Sequence, residues 1–302
     1  MARAEGLAAL VAAELDLPIQ PAAARLAAAV AARHGAAARA VLFYGSCLRE
    51  ARLDGLMLDF YLIVSDYRAA YRQGWEARAN RLLPPNVYPI EADGLAAKYA
   101  VLSEADLARL CGPDTDNPSV WARFAQPARI AWAADGEARD AVVRAVAGAA
   151  PTLLARALPL LPAGAGADDD LALWRLAFTL TYGAELRAER AARPSGIVDA
   201  DPDRYRRFGA AALPIARQQA AARMETRRAA RRWRRTQRRG KLLTLARLAK
   251  ASATFAGGLD YLAWKINRHA GTRIAITPWQ RRWPLLGALT LLPRLLARGS
   301  VR

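Results

Sequence analysis

Val41-Leu42-Phe43-Tyr44-Gly45-Ser46 and, a loop later, Met57-Leu58-Asp59-Phe60-Tyr61-Leu62-Ile63-Val64 decide how this chain reads. Each is a short apolar run of strand length. The first ends in Gly-Ser, and the second carries one acid near its start. A Gly-Ser turn lets backbone N–H groups and a hydroxyl approach a triphosphate, and a carboxylate on the neighbouring strand can hold Mg²⁺ against the same phosphates. An acid among such apolar neighbours costs stability unless something compensates it, and a metal ion is the usual compensation.

Working outward, residues 21–33 read as an Ala/Leu helix, 40–44 as a buried strand and 56–64 as its partner. Helical spacing runs over 67–83 until Pro84-Pro85-Asn86 breaks it. Residues 87–90 and 96–102 read as two further strands joined by the turn Glu91-Ala92-Asp93-Gly94. Ser103 followed by Asp106 opens a helix over 104–111, and 112–118 is a loop. Beyond Arg129-Ile130-Ala131-Trp132 the pattern turns helical. A mixed sheet with helices in the first half and a helical second half predicts an α+β architecture. The expected division is 1–135 for the sheet domain and 136–258 for a mainly helical domain, open to a winged-helix arrangement. An amphipathic C-terminal region, 259–302, completes it.

The chain has 302 residues, a formal charge of +18 and a pI near 10.9, which implies an anionic partner: nucleotide, nucleic acid or an acidic membrane surface. Cys47 and Cys111 stand far apart with no histidine cluster, so neither a disulfide framework nor a zinc site is expected, and a reducing compartment fits best. The N-terminus has acids at Glu5, Glu14 and Asp16 and does not read as a signal peptide. No run reaches the roughly 20 apolar residues of a spanning helix. The tail from Trp283 to Ala297 is interrupted by Pro284, Pro293 and Arg294, and reads as lying on a membrane. Asp168-Asp169-Asp170 suits the N-terminus of a following helix better than a metal site. The basic run 223–241 has arginines around most of a helix circumference about Trp233. It reads as a solvated basic segment, or as an attachment to anionic lipid or RNA.

Several blocks, in order, resemble one known family. Tyr44-Gly45-Ser46, Met57-Leu58-Asp59-Phe60 with Val64-Ser65-Asp66, Lys98-Tyr99-Ala100-Val101-Leu102-Ser103 and Arg123-Phe124-Ala125-Gln126-Pro127 are four of them. Leu180-Thr181-Tyr182-Gly183-Ala184-Glu185-Leu186-Arg187 and Lys250 before Thr254-Phe255-Ala256-Gly257 complete the series. Together they resemble the mitochondrial translocator assembly and maintenance proteins, which are CDP-diacylglycerol synthases, over most of residues 40–260. Glu185 stands where the family has Asp, and Ala100 where it has Gly. The absence of a clear targeting sequence suggests a bacterial relative.

The resemblance implies a polymerase-β-like nucleotidyltransferase sheet, and Mg²⁺-dependent transfer of CMP from CTP to phosphatidic acid. Asp59 would be the metal-binding catalytic acid, with Asp66 a candidate second ligand. Gly45, Ser46 and Lys98 would bind nucleotide, and Arg187 and Lys250 would bind substrate phosphates. The protein would sit peripherally on the cytoplasmic face of the inner membrane, on an anionic lipid surface. Generic nucleotidyltransferases carry a second acid two residues after the first, but Tyr61 stands there. That counts against an RNA-directed enzyme, and nucleic acid is not the expected partner. A non-catalytic membrane-bound relative is the other alternative.

Overall fold

A computed structural model describes residues 2–50, 52–162, 164–165, 171–184, 195–221, 226–254 and 277–279. The expectations for Asp168–Asp170, for Arg187 and for nearly all of the C-terminal region 259–302 lie outside them. In chain order the elements are α1 (Ala2–Leu15), α2 (Pro21–Ala32), β1 (Ala38–Tyr44), β2 (Met57–Val64), α3 (Tyr67–Ala70), α4 (Gly74–Leu82), β3 (Asn86–Ala92) and β4 (Leu95–Ser103). Then follow α5 (Glu104–Cys111), α6 (Pro118–Phe124), β5 (Ala128–Ala133), α7 (Gly136–Ala147), α8 (Ala149–Ala157), α9 (Ala172–Tyr182), α10 (Ser195–Asp199), α11 (Pro202–Ala221) and α12 (Thr226–Thr254). The α+β class stands.

One mixed five-stranded sheet, ordered β3-β4-β2-β1-β5, organises the first half. Only β2 and β4 run parallel; the other pairs are antiparallel. Both faces are covered, so apart from Arg39 in β1 and Asp59 in β2 the two strands are apolar instead of alternating. On one face Val41, Phe43, Leu58, Phe60 and Leu62 pack under α2. On the other, Leu42, Tyr44, Tyr61 and Ile63 meet α5 and α6 and the helices of the second half. The β3–β4 hairpin turns at Asp93 and Gly94, both with positive φ (51° and 76°), the conformation that two-residue hairpin loops require.

Several elements depart from the sequence reading. The helical spacing over 67–83 splits into α3 and α4, because Tyr71 is extended (φ −124°, ψ 134°) and its ring joins His34 and Tyr88. Helix α6 stands just beyond the expected loop, started by Pro118 in the first turn and by Asn117, whose side chain accepts a hydrogen bond from the Ser119 N–H. The arginine-rich run is one part of the long helix α12, and it is not solvated all round. Ala229, Trp233, Thr236 and Gly240 form a buried stripe, with the Trp233 indole N–H donating 2.8 Å to the Arg156 carbonyl.

The expected boundary at 135/136 marks a change of composition and not a break in packing. One continuous apolar core runs from Leu7 and Val11 of α1 through Leu42 and Tyr61 of the sheet to Phe178, Phe208 and Trp233 of the second half. Gly136–Leu160, spanning α7 and α8, is the one described stretch long and apolar enough to cross a membrane, and 61% of its apolar window is buried within the fold.

Candidate active site

The β1–β2 register fixes the site. Tyr44 lies opposite Asp59, so the chain leaving β1 at Gly45 passes directly over the Asp59 carboxylate. Gly45 has φ 94° and ψ −168°, a region open essentially to glycine alone. A Cβ added there would stand 3.3 Å from Asp59 Oδ2. The following turn begins with the exposed Ser46 and buries Cys47, whose Sγ donates 3.6 Å to the Met57 carbonyl at the start of β2. Gly45→Ala is therefore expected to cost about 1–3 kcal/mol of stability and to displace the turn from Asp59. Urea unfolding checks the first effect; no loss would mean that the turn relaxes freely.

Lys98 completes the cluster. It is the parallel-register partner of Asp59 on β4, and its Nζ lies 3.0 Å from Asp59 Oδ1, both side chains being partly exposed. Oδ1 is shielded from solvent and has no well-aligned hydrogen bond, so the ion pair is what the protein itself supplies against the carboxylate charge. The metal invoked as compensation from sequence is thus not the only compensation. Among the described residues no group of three or more His, Cys, Asp or Glu side chains converges on one point.

The missing second acid has a local cause. Tyr61, two residues along β2 on the same face, is 5% exposed and packs against Tyr44 and Phe124, with both ring centroids 5.2 Å away. A carboxylate in its place would be buried under α6 among aromatic rings, at high cost. Phe124 thereby ties α6 to the site, and the neighbouring Arg123 guanidinium lies over the Tyr44 ring at 5.1 Å. Arg123 was legible only as part of a resembling block, and no spacing in the sequence indicates that it stands over Tyr44.

Asp66 does not join Asp59. The extended run of β2 from Asp59 to Val64 alone carries the chain roughly 16 Å at 3.3 Å per residue, and Asp66 lies beyond its end. Asp66 instead caps α3, its carboxylate accepting 2.6 Å from the Arg68 N–H. The assignment of Asp66 as second metal ligand is corrected on that geometry. Asp93 is likewise a turn residue, 3.5 Å from Arg25.

Lys250 also lies elsewhere, against the turn before β3. Its Nζ donates to the Leu83 carbonyl and, at 2.9 Å, to the Pro85 carbonyl, while Arg247 Nε donates 2.8 Å to the Pro84 carbonyl. These contacts fasten α12 to the sheet edge. Burial, followed by repulsion from Arg247, lowers the Lys250 pKa from its ordinary 10.5 to about 8. Below about pH 8 both folded and unfolded chains are protonated, and the cost of the buried charge is fully present. Between about pH 8 and 10.5 the unfolded chain holds the proton longer, so this group's contribution to stability rises with pH. Relative to Lys250→Met, the native protein is expected to gain stability across that window. A flat difference in urea midpoints would contradict the assignment.

The two cysteines are free and buried. His34 is packed edge-on to Tyr71 and Tyr99, and burial holds its pKa below the usual value. Its Nδ1, 3.0 Å from the Ala70 carbonyl, therefore carries the proton in the neutral ring. His34 is structural. Arg187 lies outside the described residues.

Compared with known proteins, the chain matches no family model and no curated protein.

Proposed function

We propose that the protein is a nucleotidyltransferase that makes CDP-diacylglycerol and pyrophosphate from CTP and phosphatidic acid. The observation that carries this reading is the apposition of the Gly45-Ser46 turn, the Asp59 carboxylate and the Lys98 ammonium at one end of the sheet. A phosphate oxygen of phosphatidic acid attacks the α-phosphorus of CTP, the bond to the bridging oxygen breaks, and pyrophosphate leaves. Such a reaction needs positioning and charge neutralisation and no protein nucleophile.

The backbone N–H groups of the glycine turn and the exposed Ser46 hydroxyl suit the β- and γ-phosphates. Lys98 supplies fixed positive charge beside them, and its pairing with Asp59 holds the ammonium in place. The Asp59 Oδ1 atom, shielded and without a well-aligned hydrogen bond, fits a carboxylate that takes a cation. Asp59 would hold Mg²⁺, which neutralises triphosphate charge when bound; one carboxylate suffices where substrate phosphates and water complete the shell. The enzyme would act peripherally, on the anionic cytoplasmic face of a bacterial inner membrane, where its diacyl substrate resides.

An RNA-directed enzyme is disfavoured by two packing facts. Tyr61 is a core residue at the position such enzymes give to an acid, and Trp233, the aromatic within the arginine run, is buried against Trp121 and so is not offered to bases. Pyrophosphate release from CTP and Mg²⁺ should depend on added phosphatidic acid. Release that depends instead on an RNA primer would replace the proposal, and no release with either would point to a non-catalytic relative.

A further inference from the structure

The opposite end of β2 from Asp59 carries a second constellation that the proposed reaction does not use. Strands β2 and β4 lie side by side and parallel, yet the chain leaving β2 turns to one face of the sheet and the chain leaving β4 to the other. Tyr67, just past β2, belongs to the core under α2, whereas Leu107 and Leu110, just past β4, belong to the core on the opposite face. Diverging connections of this kind leave a crevice outside the carboxyl ends of the strands, where open α/β sheets bind their ligands.

That crevice is a cavity of about 630 Å³, within the range of small-molecule sites. Residues from both exits line it: Asp66, Tyr67 and Arg68 from β2, and Ser103 and Asp106 from β4. Arg72, Arg78 and Arg81 complete a ring of four arginines with Arg68. Among the described residues none of these four guanidinium groups forms an ion pair. The two acids of the lining are already engaged. Asp66 caps α3, and Asp106 accepts from the Tyr67 hydroxyl at 2.6 Å and from Arg109 at 2.6 and 3.0 Å. Like charges gathered around one cavity repel each other, and an anion there relieves that repulsion. Arginine's planar fork matches phosphate oxygens in particular.

We propose that this cavity is a second anion site, distinct from the Asp59 cluster, that takes a phosphate group. Two sources carry that chemistry, a soluble phosphate compound and an acidic phospholipid headgroup. Trp75 and Leu82, adjacent in sequence to the lining residues Gly74 and Arg81, are 46% and 85% exposed, as side chains that enter a lipid interface are.

The test titrates the full-length protein calorimetrically with inorganic pyrophosphate. In parallel it measures sedimentation with phosphatidic acid vesicles and with phosphatidylcholine vesicles. Arg72→Glu with Arg78→Glu removes charge at the cavity; Arg234→Glu with Arg238→Glu removes the same charge from the exposed side of α12. The cavity pair is expected to weaken binding by about tenfold or more, the loss of one or two charge-assisted bonds, and the α12 pair far less. Arg72→Gln with Arg78→Gln should give a smaller loss in the same direction, and circular dichroism checks that each variant is folded. A loss in the pyrophosphate arm identifies a soluble phosphate ligand, and a loss confined to phosphatidic acid vesicles identifies a lipid headgroup. Equal losses from both glutamate pairs, or no loss from the cavity pair in either arm, would overturn the proposal. Asp59→Asn should leave cavity binding unchanged, which separates this outcome from failure of the proposed reaction.

Discussion

Asp59→Asn should lower turnover by at least about 10²–10³-fold, the usual consequence of removing a preorganised electrostatic group from a site of charge transfer, and should leave the fold intact. Asparagine keeps the shape of the side chain under Gly45, so the close passage of the turn over position 59 survives. Only the charge is lost, and with it the ion pair to Lys98. The Asp59 and Lys98 side chains are 25% and 29% exposed. A pair so open to water is worth about 0–1 kcal/mol, so unfolding midpoints should barely move. Steady-state rates and urea unfolding on the same preparation check both halves. Substantial activity in the variant would remove Asp59 from the chemistry, and a collapse in stability would recast it as a structural residue.

The largest effect on stability is expected far from that carboxylate. Arg204 of α11 is 2% exposed and pairs bidentately with Glu14 of α1, its Nη2 donating 2.8 Å to Oε1, while its Nη1 donates 3.1 Å to the Ala125 carbonyl. Its guanidinium also lies over the rings of Tyr205 and Phe208, at 4.9 and 4.2 Å. Arg204→Leu leaves a largely covered carboxylate, 14% exposed, and a carbonyl without their donor and should cost about 3 kcal/mol. Adding Glu14→Leu removes the orphaned charge and should recover much of that loss. Because Ala125 directly follows Phe124, which packs on Tyr61, the single variant should also lose activity below its unfolding midpoint. Urea unfolding of the single and double variants checks the sign of the coupling. A single variant within about 1 kcal/mol of native would place the pair in the weak class of exposed bridges.

Much of the sheet was legible in sequence because its strands are short apolar runs bounded by glycine, proline or a capping serine. Met57–Val64, Leu95–Ser103 and Glu104–Cys111 fall within a residue or so of their expected limits. β5 was not read as a strand, since Ala128–Ala133 is a half-exposed edge strand whose alanine-rich run shows no alternation between apolar and polar residues. The N-terminal helix α1 escaped notice because its alanine-rich sequence looks the same whether it packs or not; Leu7, Val11 and Leu15 gain meaning only through α7 and α11. Trp233 sat among arginines that hid its buried stripe.

At the site, Gly45, Asp59 and Lys98 were each visible as residue types, and the strand register brings them together. What sequence could not give was direction. Asp66 follows Asp59 by seven positions, near enough in sequence to suggest partnership, but extended chain carries it to the other end of β2. The same end gathers four arginines, Arg68 on α3, Arg72 on the link after it and Arg78 and Arg81 on α4, whose spacing carries no shared period, so the cavity they line emerges only from the fold.

The most direct test is lipid product formation from CTP labelled at the α-phosphate, with Mg²⁺ and phosphatidic acid in mixed micelles, run with native protein and with Asp59→Asn. Label should pass into an organic-soluble product that co-migrates with CDP-diacylglycerol in the native reaction, and none should do so with the variant. No labelled lipid from native protein, or equal amounts from both proteins, would contradict the account.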